Sequence, residues 1–154
     1  MQFSFDLISD LHLETWPSFD WEGQATSQFC IVAGDVSKNY QLLSQALEHL
    51  GDCYQGVFYI DGNDEHKHNL NEIGSNYKEI GAILDEFPNV IYLQDNAVVV
   101  DGVAIIATNS WWTWDFDDDI DPNESKQAYR DKFNCESWVP EVIENIAFND
   151  VNYL

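Results

Sequence analysis

Three short apolar runs, each stopped by a glycine or an aspartate, limit the folds open to this chain. Phe29-Cys30-Ile31-Val32-Ala33 ends at Gly34-Asp35, and Val57-Phe58-Tyr59-Ile60 ends at Asp61-Gly62. Residues 3–9 alternate and then run apolar into Asp10. Runs this short, rich in β-branched and aromatic side chains, read as buried strands of a parallel sheet. Between the second and third runs, Leu42, Leu43, Ala46, Leu47 and Leu50 recur at helical spacing, and Gly51 predicts the stop. A second helix is predicted over residues 77–87, with Ile80, Ile83, Leu84 and Phe87 on one face and Pro88 closing it. Val90-Ile91-Tyr92-Leu93 follows as a strand. This alternation predicts an α/β sandwich, helices flanking the sheet. Residues 97–100 and 103–107 are joined by Asp101-Gly102, the signature of a tight antiparallel hairpin, which makes the expected sheet mixed. Residues 115–121 read as an acidic loop, and helices are expected over 123–133 and 137–148. The last six residues read as a helix exit and the opening of another strand. No repeat or linker interrupts residues 1–154, so one domain is expected.

Acidic residues number 28 against 6 basic ones, for a net charge of −22. Such a surface repels nucleic-acid backbones and anionic membranes, so neither is an expected partner, although a nucleotide substrate is compatible. Two readings of the charge remain: an acidic soluble surface, or a DNA mimic that occupies a basic DNA-binding protein. A hydrophobic content of 45% excludes the disordered class. No run approaches the roughly twenty apolar residues of a membrane span. The start, Met1-Gln2-Phe3, lacks a basic leader, which makes the cytoplasm the expected location. Cys30, Cys53 and Cys135 are odd in number and far apart, which excludes a disulfide framework and a cysteine zinc site. Cys30 reads as a small core residue.

Each of the first three strands ends in potential ligands: Ser9-Asp10-Leu11-His12, Gly34-Asp35-Val36-Ser37 and Asp61-Gly62-Asn63-Asp64-Glu65. Asp10 and His12, two apart in an extended segment, are expected to point the same way. Gly34 and Gly62 allow sharp turns that set Asp35 and Asn63 at the sheet edge. Carboxylate, imidazole and amide oxygen together suit hard divalent ions, and an aspartate can bridge two of them.

Asp-x-His, then Gly-Asp, then Gly-Asn-(His)-Asp/Glu, each after a strand, resembles the ordered signature of the calcineurin-like metallophosphoesterases. Residues 104–114 are also similar to that family's strand before a Trp-containing loop. The resemblance implies a phosphomonoesterase or phosphodiesterase with two divalent ions (Mn, Fe, Zn or Mg) that activate a hydroxide against a phosphoester substrate. Residue by residue, it implies that Asp10 and His12 bind the first ion and that Asp35 bridges the pair. Asn63 would bind the second ion and touch the phosphate.

Two departures stand out. Asp64 occupies the place of a family histidine that serves the leaving group, and an ionised carboxylate there would repel a phosphate. Asp64 and His66 are the candidate catalytic residues; His66 and His68 either supply the lost imidazole or stand on an exposed polar loop. The family's later histidine and Gly-His-x-His motifs have no counterpart, because no histidine follows His68. A chain truncated at its C-terminus, with a catalytically impaired site, is therefore the alternative to an active enzyme, and a partner chain could supply the missing imidazoles. His49 reads as a helix-end partner for the helix dipole. Asp115, Asp117, Asp118, Asp119 and Asp121 do not match a calcium loop and read as a solvated stretch. Trp111-Trp112-Thr113-Trp114 can either stack on a base or sugar or cover the core.

Overall fold

A computed structural model describes residues 3–109, 111–115 and 119–153. Four parallel strands, β1 (Phe5–Ile8), β2 (Phe29–Ala33), β3 (Gly56–Ile60) and β4 (Val90–Tyr92), lie side by side in chain order. Helix α1 (Tyr40–Cys53) connects β2 to β3, and α2 (Asn63–His66) with α3 (Ile73–Leu84) connects β3 to β4. The strand order never reverses, and α1 and α3 pack on one face of the sheet, as right-handed crossovers require. The register aligns Ile8, Val32, Tyr59 and Tyr92 across the four strands. That face packs against Leu43, Leu47 and Leu50 of α1 and Ile80 and Leu84 of α3. Burying each such leucine contributes about 1.5–3 kcal/mol. The opposite face carries Phe5, Leu7 and Ile91, all exposed.

The expected hairpin is present as β5 (Asn96–Val100) and β6 (Val103–Ala107), with Asp101 and Gly102 both at positive φ as a tight hairpin turn requires. Its strands form their own two-stranded sheet, so the mixed sheet resolves into a parallel one and a separate antiparallel pair. Helices α4 (Pro122–Phe133) and α5 (Val139–Tyr153) follow. A second core gathers Ile73, Trp111, Trp114, Val139, Ile143 and Ala147.

Several expectations shift. Gly51 does not stop α1, which runs on to Cys53 because the Asn89 amide donates to the carbonyls of Gly51 (2.8 Å) and Tyr54 (3.1 Å). An open helix end is thus closed from 38 residues away. The second helix begins four residues before Tyr77, at Ile73, and ends at Leu84. Residues 149–153 continue α5 instead of opening a strand, with Asp150 buried on its inner side. His49 serves no helix dipole; its Nε2 accepts the Trp21 N–H at 2.8 Å and fastens the β1–β2 connection to α1. That connection is also tied to the sheet at Asp6, whose carboxylate accepts from the Thr26 N–H and the Tyr54 hydroxyl. These bonds hold the Asp6 carboxyl well below the ordinary carboxylate range. Cys30 is fully buried, and all three cysteines are free. Among the described residues, no helix is long and apolar enough to cross a membrane.

Candidate metal centre

The carboxyl ends of β1, β2 and β3 are neighbours, so the three loops leaving them meet at one edge, where ligands of parallel sheets bind. The β1 loop is zipped to the β2 loop by backbone bonds from Asp10 to Gly34 (3.1 Å), His12 to Asp35 (3.0 Å) and Leu13 to Val36 (2.9 Å). The β2 and β3 loops approach through glycine. A Cβ on Gly34 would sit 2.7 Å from the Gly62 backbone, and one on Gly62 would sit 2.2 Å from an Asp35 carboxylate oxygen. Both glycines are therefore required by close approach, and Gly34 also by its φ of +73°.

Asp10, His12 and Asp35 come together, each offering a ligand atom within 4.8 Å of the others. They do not arrive from an extended segment: all three residues adopt left-handed backbone, at φ of 55°, 45° and 55°. Such conformations cost on the order of 1–2 kcal/mol apiece. They persist because the zipped loops leave no alternative. Asn63 opens α2 and lines a cavity of about 290 Å³ with Asp35, Gly62 and Trp112. Two carboxylates and an imidazole on fixed backbone suit one divalent cation, and Asp35 with Asn63 adds oxygen donors on the adjoining side.

Glu65 falls at the last position of the Gly-Asn-(His)-Asp/Glu pattern, and the sequence assigned it no role. Its fully buried carboxylate accepts from Val36 N (2.6 Å), Gly62 N (2.8 Å), Asp35 N (3.1 Å) and Ser37 N (3.3 Å). One side chain thus clamps the β2 loop to the β3 loop. Burial pushes its carboxyl up to about 7, against the pull of those N–H donors. Its clamping role has no local signature, since three of its four donors lie 28–30 residues away.

Asp64 is buried, and both of its carboxylate oxygens are engaged. One oxygen meets His12 Nδ1 at 2.8 Å, and the other accepts from the Lys67 ammonium. Burial raises the Asp64 carboxyl, but Lys67 and His12 outweigh it and hold the group below its ordinary range. For His12, burial lowers the pKa, and the Asp64 bond and charge reverse this to a net rise. The hydrogen bond leaves His12 Nε2 as the nitrogen able to face an ion, the carboxylate–histidine support usual at metal sites. The expected repulsion between Asp64 and a phosphate is thus relieved by two cationic or proton-donating neighbours.

His66 does not stand on an exposed loop. Its ring is fully buried against Tyr77 (4.4 Å) and Trp111 (5.3 Å), and Nε2 meets Asp61 Oδ2 at 2.6 Å. Asp61 also accepts from Tyr92 Oη and Asn109 Nδ2, both at 2.5 Å, forming a polar network at the carboxyl end of β3. His68 is exposed and stacks on Tyr40. Of the Trp segment, Trp111 and Trp114 belong to the second core with Trp112 packed against it, and Trp111 and Trp112 line the cavity beside Asp35. In the acidic stretch, Asp121 caps α4 by accepting the Asn123 N–H, and Asp117 and Asp118 lie outside the described residues.

No family model matches the chain. Over 120 residues it is 23% identical to an uncharacterised protein of Acanthamoeba polyphaga mimivirus, an alignment that covers 68% of this chain and 42% of that protein. Its fold is similar to that in the crystal structure of the phosphopantetheinyl hydrolase from Mycobacterium tuberculosis, with a TM-score of 0.69 and 18% identity. That superposition covers 96% of this chain and 60% of the other. The chain thus spans less than two thirds of either protein and shares with the second an α/β fold.

Proposed function

We propose that this chain hydrolyses phosphoesters at a divalent-cation site formed by Asp10, His12, Asp35 and Asn63. The observation that carries the reading is the convergence of three strand-end loops, the first two of which place their charged ligands Asp10, His12 and Asp35 on strained, left-handed backbone. Strain of this kind concentrates at functional sites. The likeness of the fold to a hydrolase, and the ordered resemblance to calcineurin-like metallophosphoesterases, support the same reading. In it, Asp10 and His12 hold one ion, Asp35 bridges to a second, and Asn63 holds the second while contacting the phosphate. The bound ions would supply positive charge against the phosphoryl oxygens and acidify the attacking water. Asp64 keeps the His12 proton on Nδ1, Glu65 holds Asp35 and Asn63 at their spacing, and His66 braces Asp61.

A second reading is a one-ion binding protein without turnover. It is favoured by the donor set, in which Asp10, His12 and Asp35 gather around one position while Asp35 and Asn63 are the donors proposed for a second. Manganese retained per chain separates the two. Two ions, reduced in Asp35→Asn, together with hydrolysis of a phosphomonoester or phosphodiester, are expected. One ion without turnover would establish the second reading, and no ion would refute both.

A further inference from the structure

Helix α4 lies at the margin of the second core, against which Tyr129 is half-buried. Ser125, Ala128, Tyr129, Lys132 and Phe133 recur at helical spacing, yet α4 has no buried residue. The stripe faces a cavity of about 450 Å³ whose far wall is Asn63, Lys67, Trp112 and Trp114. Asn63 and Trp112 also line the smaller cavity that contains Asp35, so the two spaces adjoin at the metal centre.

The lining runs against the composition of the chain. With 28 acidic and 6 basic residues overall, this cavity takes two of the six cations and no carboxylate among its described lining residues. Both ammonium groups lie over the Phe133 ring, Lys132 at 5.2 Å and Lys67 at 5.9 Å from its centre. Tyr129 packs edge-on to Trp114 at 5.2 Å and tilts against Phe133 at 4.6 Å. Lys67 is paired with the buried Asp64, so Lys132 is the ammonium the cavity offers, and aromatic walls beside it suit an anion that carries a flat ring.

We propose that the cavity bounded by Asn63, Lys67, Trp112, Tyr129, Lys132 and Phe133 binds the planar aromatic group of a phosphoester whose phosphate lies at Asp35 and Asn63. The proposal rests on the hydrolase reading and names its substrate class: an aryl or nucleobase-bearing phosphoester. Lys132 draws the anion in, and the rings hold its flat part.

Calorimetric titration of the full chain with phenyl phosphate, adenosine monophosphate and glycerol 3-phosphate, with and without manganese, tests it. Stacking on one ring is worth roughly a factor of 5 to 150. The aromatic phosphates are therefore expected to bind about tenfold or more tighter than glycerol 3-phosphate. Phe133→Ala and Tyr129→Ala should erase that preference, and Lys132→Ala should weaken all three alike; circular dichroism checks that each variant is folded. A gain for adenosine monophosphate over phenyl phosphate would identify a base as the occupant, and the reverse a simple aryl group. Equal affinity for all three, or binding of none, overturns the proposal. Failure to retain manganese would count against the hydrolase reading alone, because the metal-free titration still decides whether the cavity prefers an aromatic phosphate.

Discussion

Replacing Glu65 tests the idea that one buried carboxylate holds two ligand loops in register. Its two shorter bonds run to Val36 N and Gly62 N, at 2.6 and 2.8 Å, and sit on different oxygens. Hydrogen bonds to a charged acceptor contribute about 1.5–3 kcal/mol each, so their loss in Glu65→Ala costs about 3–6 kcal/mol. Asp35 N and Ser37 N also lose their acceptor, which makes this a lower bound. Against a domain stability of about 5–15 kcal/mol, the alanine variant is expected to fold poorly or not at all. Glu65→Gln is the sharper test. It keeps one acceptor oxygen but turns an amide N–H₂ toward one pair of donors, for an expected loss of about 2–3 kcal/mol. Urea unfolding followed by tryptophan fluorescence at pH 8, above the value to which burial raises Glu65, reads the difference. Manganese affinity should fall in the same variant, since Asp35 and Asn63 are no longer held together. The exposed Glu86→Gln serves as a control and should stay within about 0.5 kcal/mol of the parent. If Glu65→Gln matches that control in both stability and manganese affinity, the clamp does not exist.

Two further outcomes follow from the same contacts. Asp64→Asn should weaken manganese binding about 10–100-fold, because the proton on His12 Nδ1 loses its charged acceptor; unchanged affinity by calorimetry would show that Asp64 does not support His12. Asp6 has its pKa depressed in the folded protein, so its contribution is present above the unfolded value near 3.8 and is lost as pH falls below it. Asp6→Asn should accordingly flatten the acid-unfolding curve below about pH 4, and parallel curves by circular dichroism would refute the assignment.

The strands, the hairpin and the sheet edge where the candidate ligands lie were legible without coordinates. Each depends on short-range information: an apolar run, a period, an Asp-Gly pair, a glycine at a strand end. Asp10, His12, Asp35 and Asn63 could be picked out because adjacent parallel strands deliver their carboxyl ends to one edge. What the local pattern misjudged was decided at long range. His66 looked like part of a polar loop, and packing of Tyr77 and Trp111 over Asp61 turned it into a buried brace. Gly51 looked like a helix stop until Asn89 supplied the missing cap. Asp64 looked like a repulsive charge until His12, 52 residues away, met one of its oxygens. The cavity under α4 joins residues 63–67 to residues 112–133 and has no signature in either segment. Periodicity and turn chemistry act between residues a few positions apart, so sequence alone determined the elements and the donor types. Which donor meets which acceptor, and which face stays uncovered, depends on loops that touch only after the sheet has formed, and the tertiary structure alone decided those.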